Sequence, residues 1–291
     1  MKATTIGIIL LGGLLIVCAW PSACSGAAVR GHLETNDLPA FLQDRGEGVP
    51  LSMFGTYIQK GQLIVYPFME LYRDRDYEYA PNELGFEEDV DYRGDYEASE
   101  QLILIGYGFT DRLAVEFEAA VIQAELEKAR NDRSGVPEEV EESGLGDVEG
   151  QLRWRWARET AGRPEIFSYF EAVLPTQDEG SLIGTTDWEF KLGSGVIRGF
   201  GWGTLTARGA FEYDRSEDKF ELGELAFEYL KRLSPRWRVY GGVEGTQDEI
   251  ELITEAQWHF ARRVFLKLNN AFGLTSKAAD WAPEFGFVFS F

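Results

Sequence analysis

The sequence predicts an all-β chain, an antiparallel transmembrane β-barrel of about 12 strands. Three observations point there. Segments of about ten residues or more alternate apolar and polar side chains. Tight turns on one side alternate with mostly longer, acidic connections on the other. Tryptophans gather near segment ends rather than segment middles.

The last segment, Asp280 to Phe291, shows the alternation most clearly. Trp281, Pro283, Phe285, Phe287, Phe289 and Phe291 share one parity, and Glu284, Gly286, Val288 and Ser290 share the other. Successive side chains of a strand point to opposite faces, so one face is aromatic and the other small or polar. An aromatic row of this kind is either a buried core or a surface facing lipid.

The 291 residues suffice for one large domain or two small ones. Aromatics make up 14% and glycines number 32, which favours strands and turns over helices. A hydrophobic content of 44% gives no sign of a bundle of membrane helices. The net charge of −21 repels nucleic acid, which is excluded as a partner, and favours cations.

Residues 1–28 read as an export signal. Lys2 supplies a positive start, Ile6 to Ala19 an apolar run, and Ser25-Gly26-Ala27-Ala28 the small residues of a cleavage site. The run is short of the roughly 20 residues a membrane helix needs. The alternative is a lipid anchor at Cys24, but Pro21-Ser22-Ala23 before it lacks the leucine usual at such a site. Both cysteines, Cys18 and Cys24, lie in this stretch, which removes disulfides and cysteine-based zinc from the mature chain. Cleavage removes only the charge of Lys2 and leaves a net −22.

Residues 29–61 carry no strong strand pattern. Leu38 to Leu42 suit one helical turn, and the stretch is expected as a periplasmic lead-in. The barrel is expected over residues 62–291. Its segments run Gln62–Arg73, Asp91–Phe109, Arg112–Lys128, Gly144–Arg158, Pro164–Gln177 and Thr186–Arg198. They continue with Gly201–Arg215, Lys219–Leu233, Arg236–Thr246, Glu249–Phe260, Arg263–Gly273 and Asp280–Phe291. Arg112 to Arg130 is rich in Ala, Glu and Lys and also suits a helix. The alternation of Leu113, Val115, Phe117, Ala119 and Val121 with Glu116 and Glu118 favours a strand. Lys219 to Arg232 shows the same competition.

The tight connections are Thr110-Asp111, Thr160 to Arg163, Gly199-Phe200, Ser234-Pro235 and Ala261-Arg262. The other set includes Asp74 to Val90, Ala129 to Ser143, Asp178 to Thr185 and Thr275 to Ala279. Two of its members, near Ser216 and near Gln247-Asp248, are short. Trp154, Trp156, Trp202, Trp237 and Trp258 lie close to the tight-turn side, and Trp188 and Trp281 close to the other. Aromatic girdles at the two lipid headgroup levels produce that distribution.

With the apolar parity facing lipid, Glu116, Glu118, Arg153, Arg155, Lys191 and Arg208 face the lumen. Glu212, Arg238, Glu244, Glu251, Glu255 and Lys267 join them. These charges either pair across a narrow interior as a polar filling or line a solute path. The acidic loops are either plain solvated loops or gather cations at the mouth and bridge to lipopolysaccharide. Glu87, Glu88, Asp89 and Asp91 lack the alternating ligands and central glycine of a calcium loop, so no metal site is assigned. The two histidines are His32, in the lead-in, and His259, near the tight-turn end. No G-x-S-x-G, phosphate loop or H-E-x-x-H occurs. No catalytic residue and no cofactor is assigned, and the chain is not expected to be an enzyme.

Three stretches carry a resemblance. Ser143 to Trp156 reads S-G-L-G-D-V-E-G-Q-L-R-W-R-W, Phe170 to Gly180 reads F-E-A-V-L-P-T-Q-D-E-G, and Trp188 to Gly195 reads W-E-F-K-L-G-S-G. They resemble the outer-membrane transporters associated with the meta-cleavage pathway of phenol degradation, the MetA-pathway family. Gln177 stands where that family's pattern has glycine, which puts the geometry of that turn apart. The resemblance, from roughly Gly144 to the C-terminus, implies an export signal, an outer-membrane barrel and passage of small solutes, aromatic or hydrophobic ones included. It supplies no catalytic residues, and the pathway label does not make phenol the substrate.

The expectation is a passive channel in the outer membrane of a Gram-negative bacterium. Its partners would be outer-membrane lipid and lipopolysaccharide, small solutes, and the assembly machinery, which would read the terminal Phe291. The rivals are a closed barrel acting through its acidic loops, a barrel enzyme, and a soluble periplasmic β-protein.

Overall fold

The computed structural model describes residues 37–88, 90–177, 180–214, 219–246 and 249–291. The expected signal with Cys18 and Cys24, and His32, lie outside the described residues. A small hairpin pairs β1 (Val49–Pro50) with β2 (Tyr57–Ile58). The strands that follow are β3 (Leu63–Tyr79), β4 (Tyr92–Gly108), β5 (Leu113–Lys128), β6 (Glu139–Ala157), β7 (Glu165–Leu174) and β8 (Glu189–Phe200). Then come β9 (Gly203–Asp214), β10 (Lys219–Ser234), β11 (Trp237–Gly245), β12 (Ile250–Ala261), β13 (Val264–Gly273) and β14 (Ala282–Ser290). Strands β3 to β14 pair in sequence order, all antiparallel, and close into one barrel.

Every expected segment carries one of these strands, including the two with competing helix propensity. Pairing gives each of them backbone partners on both sides, which outweighs a weak helical preference. Among the described residues no helix is long and apolar enough to cross a membrane.

Two boundaries differ from expectation. β3 runs on past Arg73 to Tyr79 through an irregularity between Asp74 and Tyr77. β6 begins at Glu139, inside the acidic run expected as a loop. A charge run is compatible with a strand whose outer face meets water, so both strands extend beyond the apolar belt before they turn. The turn expected at Gly199-Phe200 falls two residues later, at Gly201-Trp202, because β8 keeps Gly199 and Phe200.

The two parities separate as the alternation requires. Ile103, Phe117, Leu192, Phe227, Phe285 and Phe287 are exposed on the outer face. Ile64, Tyr66, Leu104, Ala114, Phe167 and Tyr169 are buried inside. The last strand closes on the first: Phe291 N–H donates to Leu63 O at 2.8 Å, and Leu63 N–H to Phe291 O at 3.1 Å. This seam skips from Gly286 opposite Phe68 to Phe289 opposite Val65, the stretch where Pro67 has no N–H to donate.

Candidate functional site: the plugged lumen

Residues 37–61 turn into the barrel at its tight-turn end. Val49, Leu51 and Ile58 pack in one apolar cluster with Ile64, Leu104 and Phe265 of the wall. Tyr57 packs in another with Phe167, Ile197 and Ile253. The hairpin thus fills the lumen between opposite walls. Its turn is closed by Leu51 N–H to Thr56 O at 2.8 Å and Thr56 N–H to Met53 O at 3.0 Å.

Polar anchors fix this plug. Arg45 Nη2 donates to Glu165 at 2.9 Å and Glu159 at 3.1 Å, and its guanidinium lies 5.1 Å from the Tyr57 ring centre. Glu116 accepts from the Ser52 backbone N–H at 2.9 Å and also from the Ser52 hydroxyl. Arg155 donates to Gly48 O. Gln257 donates to Phe54 O at 3.1 Å, and Asp44 accepts the Arg232 backbone N–H at 3.0 Å. Each of these groups would be costly to bury alone, so the segment and the wall satisfy one another.

Beside the plug and above it the lumen holds charges that pair across neighbouring strands. Arg153 meets Glu116 at 2.9 Å, Lys267 meets Glu255 at 2.9 Å, and Lys191 meets Glu171 at 3.0 Å. Arg208 gathers three acids: Glu228 at 2.8 Å, Glu244 at 2.6 Å, and Glu224. At the long-loop end the interior turns aromatic. Tyr79, Tyr96, Ile122, Val136 and Ile183 form a buried cluster joined by Tyr72, Tyr77, Tyr92 and Phe86. Tyr77 stacks on Tyr96 at 4.6 Å, and Tyr72 meets Tyr96 edge-on at 5.6 Å. Val136, Ile183 and Phe86 come from three different loops, which therefore fold inward over this chamber.

The residues expected in the lumen from alternation fall into two groups by burial. Glu116, Arg153, Arg155, Arg238, Glu255 and Lys267 are buried. Glu118, Lys191, Arg208, Glu212, Glu244 and Glu251 are half-buried. Three pairings join members of this set, Glu116 with Arg153, Glu244 with Arg208 and Glu255 with Lys267. Lys191 stands opposite Glu212 in register, and Glu244 opposite Glu251. Arg238 stands opposite Gln257.

Alternation missed Glu70, Glu100, Glu149, Glu165, Glu171, Glu224, Glu228 and Glu284. Most share a parity already assigned inward and were open to discovery. Glu70 was not, because β3 is apolar on both faces. His259 is buried inside the wall, stacked on Phe265 at 4.4 Å.

Among the aromatics expected at lipid level, Trp154, Trp156, Trp202, Trp237, Trp258 and Trp281 are exposed on the outer face, and Trp188 is half-buried. Trp237 stacks on Trp258 at 6.0 Å, which packs on Phe260 at 5.2 Å. No metal was assigned to the acidic loops. The structure does bring Glu125, Glu139 and Glu141 together on the rim, with one oxygen of each within 4.8 Å of the others.

No protein-family model and no curated protein matches this chain. Among solved structures, an outer membrane channel from Pseudomonas putida F1 superposes with a TM-score of 0.58 at 14% identity, covering 84% of this chain and 100% of that one. The translocator domain of the autotransporter NalP from Neisseria meningitidis gives a TM-score of 0.53 at 10% identity, covering 80% of this chain and 90% of that one. At such identities the likeness establishes the barrel fold.

Proposed function

We propose that this chain is a passive outer-membrane channel for small solutes, aromatic or hydrophobic ones among them, held shut by its own N-terminal segment. The observation that carries this reading is the layering of the lumen. A tyrosine-lined chamber lies under the loops, paired charges fill the middle, and the plug closes the inner end. Tyrosines offer both stacking faces and hydroxyls, which suits small aromatic solutes. The Pseudomonas neighbour is itself an outer membrane channel. The resemblance at Ser143 to Trp156 to transporters of the meta-cleavage pathway agrees with the same reading.

Passage then requires the hairpin to leave the wall, since its anchors are buried ion pairs and hydrogen bonds rather than covalent links. The apolar outer face supports a barrel set in lipid, and the exposed tryptophans are read as its girdles. Catalysis has no part in this reading.

The test is solute entry into liposomes and conductance in planar bilayers, using the full chain. Entry of small solutes is expected, with faster entry once the plug anchors are removed. A second reading is a permanently closed barrel, favoured by the full burial of the Arg45 ion pairs. A correctly folded barrel that passes nothing, with or without its anchors, would establish that second reading and end the first.

A further inference from the structure

Two grooves on the outer wall stack one above the other on the same strands. The upper, of about 650 Å³, is lined by Arg73, Ser99, Gln123, Glu141 and Trp281 near the long-loop rim. The lower, of about 550 Å³, is lined by Met69, Ile103, Ala119, Leu145 and Phe285. Their linings take successive outward positions. Leu71 and Met69 follow one another on β3, Ser99 and Gln101 on β4, and Gln123 and Val121 on β5. Outward neighbours on one strand stand about 7 Å apart, so the two grooves form one cleft.

Register sets the chemistry of each level. The top row runs from Trp281 to Arg73, Glu97, Glu125 and Glu141, each opposite the next. Below it stand Leu71, Ser99, Gln123 and Ser143. The third row is Phe285, Met69, Gln101, Val121 and Leu145. The fourth includes Pro67, Ile103 and Ala119. Charge gives way to hydroxyl and amide, and then to hydrocarbon. That gradient matches an amphiphile lying along the wall, with its polar end at the rim.

Charge selects among amphiphiles. Carboxylates directly opposed across strands repel one another. Arg73 meets Glu97 at 3.0 Å. Glu125, Glu139 and Glu141 each place one oxygen within 4.8 Å of the others. A lipid whose phosphates carry divalent counter-ions supplies both signs, phosphate for Arg73 and hard cations for the acids. Ser99, Gln123 and Ser143 offer hydrogen-bond partners to sugar hydroxyls. A second copy of this chain matches less well, because a two-fold contact here brings the same acids together.

We propose that this cleft seats a phosphorylated glycolipid of the outer leaflet, lipopolysaccharide. An acyl chain lies along Ile103 and Val121, and the phosphorylated sugars lie against Arg73, Gln123 and Trp281. The inference goes beyond solute passage and rests only on the reading that the outer face lies in lipid.

The experiment is binding of radiolabelled lipopolysaccharide lacking its O-chain to the full chain folded in detergent micelles. Saturable binding is expected with Mg²⁺ present, weakened about tenfold or more by EDTA. Ala119→Phe fills the lower groove from the outer face and is expected to weaken binding by a similar factor. Ala207→Phe, exposed on β9 away from the cleft, is expected to leave it unchanged. Glu125→Gln with Glu141→Gln is expected to remove the dependence on Mg²⁺, and serves where Ala119→Phe does not fold. Heat-modifiable gel mobility verifies the barrel in each case. Equal affinity for phosphatidylglycerol, the same affinity in folded Ala119→Phe and Ala207→Phe, or a dimer that excludes the lipid would overturn the proposal. A chain that does not enter phospholipid vesicles would overturn the lipid placement and the proposal together.

Discussion

Arg45 Nη2 lies 2.9 Å from Glu165 Oε2, and both side chains are only 1% exposed. One belongs to the plug and the other to β7, 120 positions later in the chain. Glu159, at 3.1 Å, shares the same guanidinium. Arg45→Ala takes the nearer cation from two buried carboxylates, leaving Arg155 at 3.5 Å from Glu165 and Arg198 at 3.5 Å from Glu159, at a cost of up to about 3–5 kcal/mol. The plug is expected to detach while the barrel persists. Limited proteolysis of reconstituted protein reads this directly: cleavage within 37–61, with heat-modifiable mobility retained. Arg45→Lys, which keeps a cation beside both acids, is expected to retain part of the protection. Wild-type protection in Arg45→Ala would mean that apolar packing and the remaining polar anchors hold the plug without it.

Gly48 offers a second handle on the same element. Its φ is +135°, and a Cβ there would lie 2.6 Å from Ile58 O and 2.8 Å from Ile58 C. Both are backbone atoms of the paired strand and cannot swing aside. Gly48→Val is expected to cost on the order of 1–3 kcal/mol through backbone conformation alone, plus the clash. Hydrogen exchange should show β1 and β2 deprotected and the barrel strands unchanged. Equal protection of the hairpin in the variant would refute the account.

The difference between barrel and plug explains what the sequence made legible. A barrel strand between lipid and lumen must alternate, so Phe285 and Phe287 against Glu284 and Gly286 announce its register in a few residues. The plug has no such constraint. Arg45, Ser52 and Gly48 meet partners that lie on remote strands, and no local spacing reports Glu165, Glu116 or Ile58. Glu70 was hidden for a related reason. Leu63, Val65, Met69 and Leu71 face outward while Ile64, Tyr66 and Phe68 face inward, so both parities of β3 are apolar and neither is marked as lumen. The charged stretch at Asp74 to Asp76 suggested a loop because solvated loops and water-exposed strand ends share a composition.

The proposed placement of the outer face in lipid predicts a depth-dependent cost for charge. Phe285 is 46% exposed near mid-strand, and Trp281 is 45% exposed at the long-loop rim. Phe285→Arg should destabilise the barrel by about 2–4 kcal/mol and Trp281→Arg by about 0–1 kcal/mol. Reversible folding into phospholipid vesicles measures both. Equal costs would remove the argument that these two residues sit at different depths of a bilayer.

Acid should loosen one loop before the barrel. Burial pushes the Asp132 carboxyl up, but the Tyr79 hydroxyl, the Ser134 backbone and hydroxyl donors and Lys128 outweigh it and hold it below the usual carboxylate range. Ser134 N–H donates to it at 2.6 Å, and Lys128 Nζ lies at 3.7 Å. A depressed carboxylate contributes stability that is present above about pH 4 and lost as pH falls through the depressed value. Exchange protection at Ser134 and Val136 is therefore expected to fall only in that acidic window. Asp132→Asn should lower protection at neutral pH and flatten its dependence on acid. A variant with the wild-type acid profile would place the sensitive group elsewhere.

Phe291 makes the contacts of the seam. Its backbone exchanges both hydrogen bonds with Leu63, and its ring is exposed on the outer face. Deletion removes one hydrogen-bonded pair from the end of the β14–β3 ladder, while the remaining pairs, Ser290 with Ile64 and Phe289 with Val65 among them, stay available. Two lost backbone bonds at a solvated strand end cost about 1–3 kcal/mol at most. The proposed reading of this aromatic by outer-membrane assembly machinery concerns insertion rather than the folded state. These two roles separate cleanly. Deletion of Phe291 is expected to lower the amount of barrel reaching the outer membrane severalfold in cells, and to shift the unfolding midpoint of refolded protein only slightly. Normal membrane levels after deletion would refute the assembly role, and a large drop in the midpoint would assign Phe291 to closure of the seam instead.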